Sequence, residues 1–205
     1  MLTRPRRVLR SPSHARPRAG KRRPKQSGPP SRFRIRPATS KDAPTVFALV
    51  RGLAEYERRR VAGNVTAARL RRDGFGRHRY FQALLCLEGR TPVGFALYFY
   101  AYSTFLGQPI LYLEDLFVVP RARGRGVGRA LLAAVARVAV EKHCVRMMWS
   151  VLRWNAPAFR FYRQLGATIP EPTWKSMWLA GPALRRLARG NGTRLTPSRR
   201  PHAGA

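Results

Sequence analysis

Acidic residues are scarce in this chain. Nine aspartates and glutamates stand against 41 lysines and arginines, so the formal net charge is +32 over 205 residues. Residues 1–31 and 182–205 contain no acid at all. A chain this basic will contact polyanions such as nucleic acids non-specifically, whether or not binding them is its function.

Long apolar runs, cysteine motifs and histidine clusters are lacking as well. No stretch is long and apolar enough to predict a transmembrane helix, and no apolar segment of a secretory signal follows the basic N terminus. Cys86 and Cys144 lie in apolar contexts without CxxC spacing, as is typical of free thiols in an intracellular protein. The four histidines are isolated, so no metal site is expected. We therefore expect a cytoplasmic protein with no membrane contact.

Composition divides the chain into three parts. Residues 1–31 combine proline, glycine, serine and arginine with few large apolar side chains, which is typical of disorder. Residues 182–205 are similarly basic. The part between them is long and apolar enough to build one core. The sequence therefore predicts a basic disordered arm (1–31), a single domain (32–181) and a basic disordered tail (182–205).

Apolar periodicity and turn residues within the domain predict the order β-α-α-β-β-β-α-β-α-β. Three strands joined by the turns "EGRTP" and "FLGQP" form an antiparallel meander, which feeds crossover units. The second helix is predicted to close at Gly74, and the third to run from Gly128 to Lys142. "VRMMWSVL" is predicted as a buried strand and "WKSMWLAG" as the last strand. The fold class is therefore mixed α/β.

A glycine-rich loop interrupts the stretch "LEDLFVVPRARGRGVGRALL" between a strand and a helix. Backbone N–H groups at the helix start would bind phosphate oxygens, and glycines let a ligand approach the backbone. The Walker and Rossmann spacings are absent, but Arg123, Gly126 and Gly128 fit R-x-x-G-x-G. Taken alone, the loop could also be a flexible turn. The arginines expected to reinforce its positive charge are Arg121, Arg123, Arg125 and Arg129.

This loop, the preceding "YLEDLFV" and the later "NAPAFRFYRQLGA" resemble the GNAT family of N-acetyltransferases, in which R-x-x-G-x-G grips the pyrophosphate of acetyl-CoA. With "RPATSKDAPTVFALVRGLAEYE", they are similar to its diamine branch, the spermidine/spermine and thialysine acetyltransferases. The resemblance implies an α/β fold with a mixed, mostly antiparallel sheet flanked by helices on both faces, and acetyl-CoA as acetyl donor. The residues implied in binding acetyl-CoA are Phe117, Val118, Arg123, Gly124, Arg125, Gly126, Val127, Gly128, Arg129 and Asn155.

Direct acetyl transfer to an amine needs a base for the amine and an acid for the departing thiolate. Regular alternation places the adjacent carboxylates Glu114 and Asp115 on opposite faces of their strand. The resemblance implies Glu114 as the base, through water, with Asp115 nearer the amine. It implies Tyr162 as the acid, and neighbouring arginines are expected to lower the pKa of its phenol. Structural alternatives are an arginine-neutralised carboxylate pair, a core tyrosine and, for Asn155, a helix cap.

The substrate site departs from the polyamine type. The residues implied in binding the amine are Tyr56, Glu57, Asp115 and Trp174, although packing alone would also explain Trp174. Three arginines at 58–60 follow Glu57 where polyamine enzymes continue with acids, and Ser103 and Thr104 replace an expected aspartate. The arginines disfavour a multiply charged cation and suit a substrate with a carboxylate beside its amine. The sequence therefore predicts a small-molecule primary amine, favouring an amino acid such as thialysine over spermidine.

Two other functions are compatible with the sequence. A nucleic-acid-binding protein would explain the charge, but the domain lacks helix-turn-helix, RNP and zinc spacings. An enzyme that acetylates lysine side chains or the N terminus of a bound protein is the closer alternative, and it would need an open groove. The resemblance also implies a homodimer, and the basic tails are expected to make non-specific contacts with polyanions.

Overall fold

A computed structural model describes residues 33–169, 177 and 179–189. In chain order its elements are β1 (Phe33–Pro37), α1 (Ala43–Tyr56), α2 (Ala67–Phe75), β2 (Gln82–Glu88), β3 (Thr91–Ser103), β4 (Gln108–Val118), α3 (Val127–Glu141), β5 (Met147–Met148), α4 (Ala156–Gln164) and α5 (Gly181–Arg189). The chain divides into two compact units after Ser150, so that β1 to β5 and α1 to α3 form the first and α4 and α5 belong to the second.

The first unit is built on a five-stranded sheet in the order β1-β2-β3-β4-β5. The first four strands pair antiparallel, and β5 pairs parallel with Leu111 and Tyr112 of β4. The two hairpin turns contain Gly89 and Gly107, whose φ angles of +60° and +62° lie in the left-handed region that glycine adopts without strain. The predicted meander and its two turns are therefore confirmed.

Helices pack on both faces of this sheet. The core on one face, against α1, consists of Val46, Leu49, Leu85, Leu87, Phe95, Leu97 and Phe117. The opposite face is covered by α3, where Leu131 approaches Gly94 of β3. Since Gly94 and Phe95 are consecutive in one strand, their positions belong to opposite faces. The predicted α/β class, with a mostly antiparallel sheet and helices on both faces, is confirmed.

The start of α1 is fixed to β1 by a charged pair. The two terminal nitrogens of Arg36, Nη1 and Nη2, donate to the carboxylate of Asp42 at 2.7 Å, and Asp42 also accepts the backbone N–H of Thr39. These hydrogen bonds from Arg36 and Thr39 hold the pKa of Asp42 far below its usual range. The bidentate geometry orients the first turn leading into α1, the helix that carries part of the site described below.

Three predicted elements differ from the structure. Helix α2 continues past Gly74 to Phe75. Gly74 serves packing rather than helix termination, because a Cβ there would lie 2.4 Å from the ring of Phe81. Helix α3 begins one residue earlier than predicted, at Val127. The strand predicted for "VRMMWSVL" shrinks to Met147–Met148, and the exposure of Met148 shows that the prediction of a buried strand was wrong.

Several predictions lie partly or wholly outside the described residues. These are the arm 1–31, most of the last predicted strand with Trp174, and residues 190–205 of the tail. Residues 182–189, which the sequence assigned to the tail, lie in α5. Among the described helices, none combines the length and the apolar composition that crossing a lipid bilayer requires.

Replacing Gly94 by alanine should destabilise the first unit by about 1–3 kcal/mol. The added Cβ would lie 2.7 Å from the carbonyl oxygen of Phe117 and 3.2 Å from Leu131, so either the β3–β4 ladder or α3 must shift. Urea unfolding should show a lower midpoint at an unchanged m-value. Gly63→Ala is the matched control, because a Cβ at Gly63 meets nothing within 4 Å. Equal midpoints for the two variants would contradict this prediction.

Candidate active site

The glycine loop lies between β4 and α3, as predicted. After β4, a short 3-10 turn (Pro120–Ala122) leads into the loop, and α3 starts at Val127. Gly124 and Gly126 have φ angles of +71° and +81°, and a Cβ at either would meet nothing within 4 Å. Backbone conformation, rather than crowding, therefore requires glycine at both positions. The loop also leaves room for a ligand to approach the backbone.

The N terminus of α3 has the properties of an anion site. Its N-cap is Gly126, which provides no side chain to accept hydrogen bonds from the first amides of the helix. Val127 is buried and anchors the helix, whereas Arg129 is exposed in the first turn and has no acidic partner among the described residues. Free amides, the helix dipole and one arginine thus favour phosphate at this point.

Two other arginines of the loop region are engaged by protein. Arg125 donates to the carboxylate of Glu88, at 2.6 Å in the shorter contact, and its guanidinium lies 4.9 Å from the ring centre of Phe33. Arg121 lies 3.7 Å from the same carboxylate. Glu88, the last residue of β2, therefore holds the loop to the end of that strand and offsets part of the loop's positive charge. No motif in the sequence points to Glu88.

Arg123, the first residue of the motif, also contacts protein groups. Its Nε donates to the carbonyl oxygen of Val118 at 2.9 Å. Its guanidinium lies over the ring of Tyr56 at 4.5 Å and near the ring of Phe117 at 5.7 Å. Phe117 itself is buried in the core below α1. The side chain of Arg123 thus joins the end of β4 to the end of α1.

The adjacent carboxylates lie at an irregularity of β4. Leu97 pairs with Asp115 and Tyr98 pairs with Leu113, so Glu114 is an extra residue in the ladder, a β-bulge. The bulge interrupts the alternation from which opposite faces were predicted for the two carboxylates. Since Asp115 is opposite Leu97, it belongs to the face that packs against α1. Glu114 is exposed.

A third carboxylate, Glu57, belongs to the same neighbourhood. It directly follows Tyr56 as the C-cap of α1. Burial, together with the negative charges of Glu114 and Glu57, raises the pKa of Asp115 to about 7. In the described part of the chain, none of these three carboxylates forms an ion pair with an arginine or lysine. The alternative of an arginine-neutralised pair therefore finds no partner among the described residues.

The second unit contains the predicted acid and the predicted helix cap. Asn155 is buried, and its side-chain oxygen accepts the backbone N–H of Ala158 at 3.3 Å, which caps α4. Tyr162 lies on α4 with its ring 5.1 Å from that of Phe161. Burial raises the pKa of Tyr162 to about 12, so the expectation that arginines lower it was wrong. The phenol is therefore fully protonated at neutral pH.

Comparison with known proteins identifies the fold and the chemistry. The model of the acetyltransferase (GNAT) family matches residues 46–167, which include the glycine loop, the bulged strand and α4. The chain belongs to the GNAT acetyltransferase family. It is therefore an acetyl-transfer enzyme, and GNAT acetyltransferases use acetyl-CoA as the acetyl donor.

Relatives of this GNAT enzyme agree with the resemblance to the diamine branch. It is 36% identical to a thialysine N-epsilon-acetyltransferase of Mus musculus over 76% of this chain and 96% of the relative. It is 37% identical to the Sus scrofa protein of the same name, over 75% and 96%. An integron cassette protein from V. cholerae, 22% identical, has a similar fold with a TM-score of 0.66, covering 78% of this chain and 99% of that one.

The other positions that the sequence predicted to affect substrate choice lie at the end of α1 and in the β3–β4 hairpin. Residues 58–60 are exposed directly after Glu57, and Arg58 leaves the helix with a left-handed φ of 55°. Ser103 ends β3, where its hydroxyl accepts the backbone N–H of Leu106. The structure brings Tyr56, Glu57 and Asp115 together in the first unit. Trp174 lies outside the described residues.

Proposed function

We propose that this GNAT enzyme transfers the acetyl group of acetyl-CoA to the side-chain amine of a small amino acid, by direct attack of the amine on the thioester. The observation that carries the proposal is the cluster of Glu57, Glu114 and Asp115. In a chain with 41 basic residues, three carboxylates without a basic partner in the described part form a site for a cationic amine. The thialysine acetyltransferases among the relatives support a substrate that also carries a carboxylate.

The amine must lose a proton before it can attack. With a pKa of about 10.4, generating the free base at pH 7 costs about 4.6 kcal/mol. We assign Glu114 as the base that accepts this proton, through water, because the bulge leaves it exposed beside the half-buried Asp115. Asp115 and Glu57 attract the ammonium, and the aromatic ring of Tyr56 lines the same end of α1.

The thioester partner is held at two places. The amides at the start of α3, with Gly124, Arg125, Gly126, Val127, Gly128 and Arg129, bind the pyrophosphate. The backbone of Phe117 and Val118 binds the pantetheine arm. The short pairing of β5 supports this assignment: among the described residues, β5 pairs with β4 only at Leu111 and Tyr112, so it leaves this side of β4 unpaired at Phe117 and Val118. When the C–S bond breaks, Tyr162 gives its proton to the departing thiolate, and Asn155 contacts the pantetheine arm from the start of α4.

The exposed arginines 58–60 favour an amino-acid substrate over a polyamine. Three guanidinium groups next to Glu57 repel a polyamine with several charges and attract the carboxylate of an amino acid. Location and assembly are proposed by resemblance: a cytoplasmic homodimer, with non-specific polyanion contacts through the basic ends. The two free thiols, Cys86 and Cys144, support an intracellular location.

The function is tested by thiol release from acetyl-CoA with a panel of amines: thialysine, lysine, ornithine, putrescine, spermidine, an aminoglycoside and a histone-tail peptide. We expect thialysine or lysine to give the highest kcat/KM. A preference for spermidine would contradict the role assigned to residues 58–60. Turnover of the peptide alone would indicate a protein acetyltransferase, and no turnover with any amine would overturn the proposal.

The pH dependence of kcat/KM should reveal the titration of the Asp115 carboxyl. Because its pKa is raised to about 7, the carboxyl is largely neutral at pH 6 and charged at pH 8, so its attraction for the ammonium increases over this range. The ratio of kcat/KM for wild type to that for Asp115→Asn should therefore rise between pH 6 and pH 8 and then level off. Taking the ratio cancels the titration of the amine itself. A ratio that is constant across this range would contradict the assignment.

We expect a loss of activity in Asp115→Asn without a loss of folding stability. A carboxyl whose pKa is higher in the folded state than in the unfolded state destabilises the fold as pH rises through that interval. Asp115→Asn removes this cost, so its melting temperature at pH 7 should equal or exceed that of wild type. An asparagine variant that is less active but no less stable is the expected result.

A further inference from the structure

Binding of acetyl-CoA by the glycine loop does not account for the contacts that the side chain of Arg123 makes. Resemblance assigns this residue to the pyrophosphate, yet its guanidinium contacts three protein groups within the first unit. Its Nε–H donates to the carbonyl oxygen of Val118, and its guanidinium carbon lies 4.5 Å from the ring centre of Tyr56 and 5.7 Å from that of Phe117. A guanidinium that lies over one ring and donates to one carbonyl has a defined position.

The groups that Arg123 joins belong to different parts of the site. Val118 is the last residue of β4, four residues after Glu114, and Tyr56 is the last residue of α1, directly before Glu57. Phe117 belongs to the core cluster under α1, and the partly buried Tyr56 packs against that cluster. Close approach of α1 to Phe117 also depends on Gly52, where a Cβ would lie 3.1 Å from the Phe117 ring. Arg123 thus covers the contact between the end of α1 and the end of β4.

We propose that Arg123 is a positioning residue for the amine site: its side chain holds the Tyr56–Glu57 end of α1 against the end of β4, beside the glycine loop. The inference rests on the proposed function, because Glu57 and Tyr56 bind the amine there. The backbone of Arg123 remains part of the loop that binds acetyl-CoA. Its side chain sets the distance between the carboxylate of Glu57 and those on β4.

Arg123→Lys tests this division of roles, because lysine keeps the charge and loses the flat guanidinium. At saturating acetyl-CoA, the KM for the preferred amine should rise about 5–10-fold, because lysine lacks the planar guanidinium over Tyr56 and the Nε–H that donates to Val118. Arg137→Lys, the same exchange at an exposed arginine of α3 outside the site, is the matched control. An unchanged amine KM, with the whole defect in the affinity for acetyl-CoA, would overturn the proposal.

A double-mutant cycle shows whether the effect passes through Tyr56. Arg123→Lys and Tyr56→Leu should raise the amine KM by no more together than the larger single effect, since both break the same contact. Arg123→Lys in a Tyr56→Phe background should still raise the KM, because phenylalanine retains the ring. Additive effects of Arg123→Lys and Tyr56→Leu would overturn the coupling.

A readout without turnover separates this inference from the proposed function. Hydrogen exchange of the amides in the last turn of α1 should be faster in Arg123→Lys than in wild type or Arg137→Lys, since the guanidinium over Tyr56 stabilises that turn. Unchanged exchange there would overturn the positioning role. Faster exchange in a protein that acetylates no amine would keep the contact and refute only the function assigned to the site.

Discussion

Tyr162→Phe should lower kcat by about 10²–10⁴-fold and leave the affinity for acetyl-CoA nearly unchanged. The variant removes only the hydroxyl, so packing against Phe161 is retained while the proton for the departing thiolate is lost. Because burial raises the pKa of Tyr162 to about 12, the phenol stays protonated throughout the accessible pH range. The wild-type kcat should accordingly show no decline at high pH from this residue. Thiol-release assays measure kcat, and calorimetry with acetyl-CoA measures the affinity separately.

The matched control is Tyr102→Phe, which removes a hydroxyl from an exposed tyrosine near the end of β3. Its kcat should equal that of wild type. If Tyr162→Phe retains kcat within about threefold, the tyrosine is a packing residue of α4 and another group protonates the thiolate.

Glu114→Gln should also lower kcat by about 10²–10⁴-fold at pH 7, and its defect should shrink as the pH rises. Each added pH unit below 10.4 increases the free-base fraction of the amine about tenfold, so the need for a protein base declines. A defect that is rescued by high pH distinguishes lost proton transfer from lost binding. The measurement is the ratio of wild-type to variant kcat between pH 7 and pH 10.

Glu141→Gln provides the control for this series, because Glu141 is an exposed glutamate at the end of α3. It should leave kcat unchanged at every pH. The assignment of the base would move to Asp115 if Asp115→Asn, rather than Glu114→Gln, showed the defect that high pH rescues. The raised pKa of Asp115 makes that alternative chemically sound, and the two variants decide between them.

Features that depend on local sequence were predictable. Alternating apolar residues and two glycine turns gave the meander, and glycines at positions 124 and 126 gave the loop, because left-handed backbone demands them. The cap at Asn155 follows from its place before a proline-containing first turn. The short β5 was missed since an apolar run predicts burial without saying how many residues find a partner strand.

Features that depend on distant residues were not predictable from pattern. The bulge at Glu114 is visible only once β3 and β4 are paired, and it invalidates the alternation argument for Asp115. The partners of the loop arginines are equally remote: Glu88 precedes Arg125 by 37 residues. Because electrostatic environments are assembled from such contacts, the raised pKa values of Asp115 and Tyr162 could not be inferred from neighbouring charges in the sequence.

The three carboxylates of the amine site give it a local negative charge in a molecule with a formal net charge of +32. The rates at which the two substrates reach the enzyme therefore depend on the ionic strength. Long-range attraction speeds the arrival of anionic acetyl-CoA and long-range repulsion slows that of a cationic amine. Counterions weaken both effects, since the Debye length falls to about 8 Å at 0.15 M ionic strength. Added salt should therefore slow capture of acetyl-CoA while it speeds capture of the amine, so the enzyme would work fastest at an intermediate ionic strength.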